Sequence, residues 1–428
     1  LLISVRTHIA FPAPNAIDTH ESHGSPLGDK EIQATKAILG LPPEEKFYVP
    51  AELEALRQSV VERGARAEAD WNSRFEAYAK AFPELAQEWH IFQAGDLPSG
   101  WDAGLKPFEA NPKGMATRGA SGKVIAQFAS KIPNLLGGSA DLAPSTMTWM
   151  DGLGTQSAET PGGRNIHFGI REHGMGALVN GLLLHGGLRA FCATFFVFSD
   201  YMRPSVRLAA LIGLPAIYVW THDSIGLGED GPTHQAVEHL AALRAMPNLW
   251  VMRPGDANEV LESWKVALQS RCAPVALVLS RQAMSTVDRS KLGAAEGVAR
   301  GAYILAEAEG GAPRCILIGT GSEVQHCLTA RDVLQAEGVP TRVVSMPCWE
   351  LFEQQSEEYR QQVLPASVAA KVAVEAGCSF GWHRWIGDKG TTVCIDSYGA
   401  SAPSQVNMEK FGFTTENVVA VAKSVLAK

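Results

Sequence analysis

Apolar and polar positions fall into repeating blocks along most of the chain. After Lys113, short apolar runs that read as buried strands alternate with stretches of helical period. Ala116–Ala129 reads as a helix, Leu135–Gly138 as a strand end and Gly174–His185 as a helix of small residues. Leu188–Thr194 (strand), Asp200–Leu211 (helix), Ala216–Thr221 (strand) and Ala276–Ser280 (strand) follow. A second series starts near Arg314: a strand at Cys315–Ile318, a turn at Gly319–Ser322, a helix ending at Gly338, then strands at Thr341–Ser345 and Val372–Glu375. This order predicts an α/β fold of two consecutive doubly wound, mainly parallel-sheet domains, at 113–300 and 301–428, each sheet covered on both faces.

The upstream part has another texture. Leu1–Thr7 is strand-like and leads into a His/Gly/Pro loop ending near residue 28. A strand at the very start of a chain needs sheet neighbours, so the sequence reads as the carboxy-terminal part of a longer protein. Residues 29–112 form a helical and extended linker: Asp29 can cap a first helix, Pro50–Ala81 is a long amphipathic run, and 93–112 lack any period.

The densest chemistry lies where the run Leu214–Val219 ends at Trp220. The loop T-H-D-S-I-G-L-G-E-D-G-P-T-H-Q holds His222, Asp223, Glu229, Asp230 and His234. Turn chemistry accounts for Gly and Asp but not for two histidines. Glu172, in I-R-E-H-G-M, sits where a helix begins, a position that favours an ionised acid whatever its role. Phe195, Phe198 and Tyr201 recur at spacings of three; such a stripe is core or the wall of a flat ligand. Arg118, Ser145 and Arg281 fall at strand ends or helix starts, where guanidinium forks and hydroxyls can hold phosphate. His20 and His23 lie in T-H-E-S-H-G-S-P-L. The G-T-G-S turn reads as close strand-to-helix packing before it reads as a phosphate cradle.

Composition narrows the class. The chain has 428 residues, enough for two or three domains, with 46% hydrophobic and 19% charged residues. A net charge of −8 without a basic stripe argues against nucleic acid. No apolar run reaches the roughly 20 residues of a membrane span. Seven cysteines without a C-x-x-C pair read as reduced residues of a cytosolic protein, and zinc is not expected.

Taken together, S-H-G-S-P-L-G-D, A-T-R, G-G-S-A-D-L-A-P-S, I-R-E-H-G-M, T-H-D-S-I-G-L-G-E-D-G-P-T-H-Q, L-S-R-Q, T-G-S-E-V and V-A-V-E-A-G resemble the transketolase family through essentially the whole chain. The related dihydroxyacetone synthases share most of these strings. The resemblance implies thiamine diphosphate as cofactor and transfer of a two-carbon ketol unit from a ketose phosphate to an aldose phosphate. It implies a pyrimidine-binding domain at 113–300 and a C-terminal domain at 301–428. Glu172 matches the acid on the aminopyrimidine ring, Phe195, Phe198 and Tyr201 the pyrimidine pocket, and Asp141 the acid near the thiazolium. Arg118, Ser145, His222 and Arg281 match the sugar-phosphate clamp, Asp230 a sugar-hydroxyl acceptor, and His234 and His23 the residues facing the reacting carbons. A homodimer is implied as well.

The G-D-G…N motif that holds diphosphate and a divalent metal in this family is absent from the sequence. The expectation is therefore that residues 1–28 are a remnant of the diphosphate-binding domain. Ligands for Mg2+ or Ca2+ would then be missing, and catalysis would depend on a diphosphate-binding portion from elsewhere. A non-catalytic or incomplete subunit is the alternative.

Overall fold

The computed structural model describes residues 3–427, and the chain divides into two compact units between Ala86 and Gln87. In the first unit, Ile3–Thr7 are extended and exposed but form no strand; Leu1 and Leu2 lie outside the described residues. The expected opening strand is therefore not seen in Ile3–Thr7, because no neighbouring strand completes its hydrogen bonds among the described residues. Gly28 (φ +79°), not Asp29, caps the helix Asp29–Ile38; Asp29 lies inside the first turn, where its charge complements the helix dipole. The Glu31 carboxylate of that helix accepts from the backbone N–H groups of Asn15 (2.7 Å) and Ala16 (3.0 Å), which fastens the preceding loop. The long amphipathic run becomes a helix at Leu53–Ala81, with no buried residue.

The second unit contains both α/β layers. Strand β1 (Asn111–Ala116) pairs antiparallel with β8 (Ala283–Thr286). Between them in sequence lie β2 (Leu135–Ser139), β3 (Asn165–His167), β4 (Arg189–Phe195), β5 (Ile217–Thr221), β6 (Trp250–Met252) and β7 (Val275–Leu279). These six form one parallel sheet in the order β3-β2-β4-β5-β7-β6. A second sheet, β13-β12-β10-β11-β9, is built from β9 (Tyr303–Ala306), β10 (Cys315–Gly319), β11 (Thr341–Ser345), β12 (Ala370–Val374) and β13 (Thr391–Val393), with only β9 antiparallel. Of the strands that sequence pattern misses, β3, β6, β8, β9 and β13 have three or four residues, too few to show a period, and the six residues of β1 (N-P-K-G-M-A) have no apolar alternation.

Alternation along the strands explains the layers. Phe191, Ala193, Ile217, Val219 and Leu277 point to one buried cluster, with Phe128 and Trp264. Ala190, Cys192, Tyr218, Trp220 and Val278 point to the other, with Val179 and Val206. The first cluster runs on into Leu317, Val343 and Val372 of the second sheet, so one continuous core joins the two layers.

A buried ion network crosses the same boundary. Arg253, after β6, has no exposed surface; its Nη2 lies 2.7 Å from Asp223, after β5, and its Nη1 donates to Glu323 and, at 2.9 Å, to Thr320 Oγ1, both after β10. Thr320 in turn donates to Glu375, after β12, which Arg244 grips through two nitrogens at 2.8 and 2.7 Å. Burial alone would lower the Arg253 pKa, but Glu323 and Asp223 hold it above its ordinary value. Gly321 (φ +54°) makes room for this guanidinium: a Cβ there would lie 2.5 Å from Arg253 Cζ. The G-T-G-S turn is thus an arginine socket between the layers. Arg253→Met is expected to lower the unfolding free energy by about 3–5 kcal/mol, because two buried carboxylates lose their cation. Urea denaturation followed by circular dichroism checks this.

Candidate active site

The carboxyl ends of the parallel strands collect the candidate residues. From β2 the chain passes to β3 on one side and returns to β4 on the other, which opens a crevice above that pair, the place where such sheets bind ligands. Asp141 (φ +60°) follows β2, and the short helix Ala143–Thr146 carries Ser145. Glu172 is the first residue of the helix Glu172–His185 after β3. Phe195 ends β4, Phe198 closes a 3-10 turn, and Tyr201 lies on the helix Ser199–Ile212. His222, Asp230 and His234 follow β5, and Arg281 follows β7. Arg118, after β1, is brought to the same edge because Ser280 N–H donates to Thr117 Oγ1 at 2.7 Å.

One hollow of about 510 Å³ is lined by Ala140, Asp141, Leu142, Ile170, Glu172, Phe198 and Tyr201. Glu172 is buried, yet among the described residues no ion pair or side-chain hydrogen bond holds its carboxylate. Glu172 lines the hollow, so a ligand seated there can supply the donor that the protein does not. The Phe198 and Tyr201 rings are 5.9 Å apart, and Phe195 stacks on Phe198 at 5.7 Å with 14° between planes. Phe195 itself packs against His222 at 3.7 Å and does not line the hollow. Phe196, which the spacing-of-three reading passes over, is the buried core residue of this segment.

A cationic cluster lies beside the aromatics. Arg118 Nη1 donates to the Ser145 carbonyl at 2.7 Å and to His222 Nε2 at 3.5 Å, so Ser145 engages it through its backbone and not its hydroxyl. Arg281 donates to the Leu227 carbonyl at 2.6 Å and is close enough to Arg118 to add to the burial that lowers the Arg118 pKa. His234 meets Phe198 edge-on at 5.5 Å. Asp230 is exposed on a loop that Gln235 braces through the Gly228 carbonyl at 3.0 Å. Asp223, read as part of the reactive loop, is instead committed to Arg253. His20 and His23 are exposed residues of the first unit.

A neighbouring hollow of about 500 Å³ also uses Asp141 and brings in Trp149, His167 and Arg171. No periodicity singles these three out; only the position of Arg171 beside Glu172 could have. No group of three or more His, Cys, Asp or Glu side chains among the described residues could hold a metal ion. The seven cysteines are free. No helix among the described residues is long and apolar enough to cross a membrane.

Burial, then Arg118, Arg281 and His234, depress the His222 pKa to about 3. An imidazole whose folded pKa lies below the ordinary value near 6.5 costs stability as pH falls through 6.5, and it stays neutral above about pH 4. The His222 ring signal in a histidine NMR titration is therefore expected to stay constant from about pH 8 to pH 5; a midpoint near 6.5 would contradict the assignment.

The family model for the transketolase pyrimidine-binding domain matches residues 113–286, and that for the transketolase-like C-terminal domain matches 301–414. The transketolase thiamine diphosphate-binding domain model matches residues 1–98. That match runs through the segment read as a linker, so the expectation that residues 1–28 are all the chain holds of that domain is not supported. The transketolase of Geobacillus stearothermophilus is 50% identical over 100% of this chain, which spans 64% of that protein, less than two thirds. The chloroplastic transketolase of Craterostigma plantagineum is 47% identical, with 99% of this chain and 82% of the relative covered. A crystal structure of a Pichia stipitis transketolase mutant in complex with xylulose 5-phosphate superposes with a TM-score of 0.91 at 37% identity, covering 98% of this chain and 62% of that one. A split-gene transketolase, described as an inactive β4 tetramer, matches with a TM-score of 0.59 at 26% identity over 73% of this chain and 99% of its own. The chain belongs to the transketolase family.

Proposed function

We propose that this chain works in ketol transfer: a two-carbon unit passes from a ketose phosphate of the xylulose 5-phosphate type to an aldose phosphate of the ribose 5-phosphate type, with thiamine diphosphate as cofactor. The observation that carries the proposal is Glu172, largely buried and without a side-chain partner among the described residues, on the wall of an aromatic hollow of about 510 Å³. Bound thiamine diphosphate supplies the electron sink for carbon–carbon cleavage. The residues of the hollow suit its aminopyrimidine: Glu172 would hold the ring nitrogen, Phe198 would take the ring face, Tyr201 would wall the approach and Asp141 would serve the thiazolium side, while Phe195 would complete the pocket from behind by stacking on Phe198. Residues 113–300 are the pyrimidine-binding domain and 301–428 the C-terminal domain in this reading.

Substrate roles follow from charge and placement. Arg118 and Arg281 form a fork for the phosphate dianion, and Ser145 and His222 orient Arg118. Asp230, exposed between Glu229 and Gly231, accepts from a sugar hydroxyl. His234 moves protons at the reacting carbons, and the family resemblance gives His23 of the first unit the same task. No step is assigned to a metal. Exposed Leu178, Leu184, Leu208, Leu211 and Ile212 on the helices Glu172–His185 and Ser199–Ile212 support a homodimer, and seven free cysteines support a cytoplasmic setting.

A second reading has a specific observation behind it. The split-gene transketolase, described as an inactive β4 tetramer and 99% covered by this chain, supports a subunit that is not active by itself. Co-purification from the source organism separates the two.

Glu172→Gln keeps the shape and removes the acid. In the native protein it is expected to lower turnover of xylulose 5-phosphate with ribose 5-phosphate by about 100-fold or more, with an unchanged circular dichroism spectrum. Turnover within a few fold of the parent would remove Glu172 from this role.

A further inference from the structure

The end of β5 and the loop after it carry the dipeptide Thr-His twice, at Thr221–His222 and Thr233–His234. In both, the threonine Oγ1 lies 2.9 Å from Nδ1 of the histidine that follows. Neighbouring side chains on a strand point to opposite faces, so this contact is not a default of sequence adjacency. At His222 it forms because the backbone leaves β5 with φ +63°. At His234 the chain has turned back, with His234 N–H bonded to the Gly231 carbonyl at 3.0 Å. The two rings converge on Phe195, at centroid distances of 3.7 and 6.3 Å.

Arg118 decides the proton position in the first pair. A guanidinium only donates, and Arg118 Nη1 lies 3.5 Å from His222 Nε2. Nε2 is therefore the acceptor, Nδ1 carries the ring proton, and the Thr221 hydroxyl receives it. His222 then acts on the phosphate through Arg118, whose direction it fixes, and is not itself a third donor. The second pair repeats the Nδ1 contact, and among the described residues His234 Nε2 has no partner.

We infer that Thr221 and Thr233 are positioning residues that hold His222 and His234 in the Nδ1–H form, leaving each Nε2 as the atom that meets the site. The catalytic consequence rests on the ketol-transfer reading above: a neutral His234 with an Nε2 lone pair can take a substrate hydroxyl proton, and the resulting imidazolium keeps its Nδ1–H on Thr233. Free imidazole side chains prefer the proton on Nε2, so each hydroxyl works against the default.

The test uses the native protein labelled with 15N-histidine, without substrate, so that the tautomer is read independently of turnover. His234 is expected to show Nδ1 protonated and Nε2 bare. Thr233→Val is expected to return His234 to the Nε2–H form and to lower kcat by about 10-fold with little change in KM, the size of one lost hydrogen bond. Thr233→Ser should retain both properties. Thr221→Val should raise KM for xylulose 5-phosphate more than kcat falls, with rescue by Thr221→Ser. An Nε2–H signature for His234 in the parent, or no change in Thr233→Val, overturns the inference. A tautomer change with unaltered turnover leaves the positioning role standing and overturns the proton-transfer role of His234.

Discussion

The guanidinium of Arg253 is the constraint on which the site depends. It lies without solvent contact between Asp223, which follows β5, and Thr320 and Glu323, which follow β10. Asp223 is the immediate neighbour of His222, whose φ of +63° turns its ring toward Phe195 and Arg118. A left-handed backbone at a bulky, buried residue persists only where its surroundings hold it, and here the ion pair one residue away does so. The C-terminal layer thus serves the pyrimidine-binding layer as a support. Gln235 and Asn407 extend that support: both donate to the Ala400 carbonyl at 2.9 Å, and Gln235 also braces Gly228.

This arrangement also explains a crevice that holds no phosphate cradle. In the second sheet β10 lies between β11 and β12, so a ligand crevice is expected above the β10–β12 pair. Its position is taken by Arg253 and Arg244 with Glu323 and Glu375. The glycine that looks like part of a phosphate loop, Gly321, is there for a protein cation. Across the chain, then, one layer keeps its crevice open and lines it with Glu172 and aromatics, while the other fills its crevice with arginine and uses it for docking.

Much of this was legible in the sequence. The strands β4, β5, β7, β10, β11 and β12 show as apolar runs because both faces of a parallel sheet are buried. The Trp220–Glu238 loop shows because two histidines exceed what a turn needs. Other features carry no signal in one dimension. Arg253 follows a three-residue strand, and nothing in M-R-P-G-D tells a buried ion cluster from an exposed arginine. The antiparallel pair β1–β8 joins residues some 170 positions apart, and with the Thr117–Ser280 hydrogen bonds it delivers Arg118 to the site. The opening segment Ile3–Thr7 misleads for the opposite reason: strand propensity is present, and a partner strand is absent among the described residues.

A crystal structure of the native protein with thiamine diphosphate tests the central claim most directly. The account predicts the aminopyrimidine ring against the face of Phe198, with its far nitrogen within hydrogen-bond reach, about 2.6–3.2 Å, of the Glu172 carboxylate. A ring bound elsewhere, or a Glu172 carboxylate turned away from it, would contradict the account.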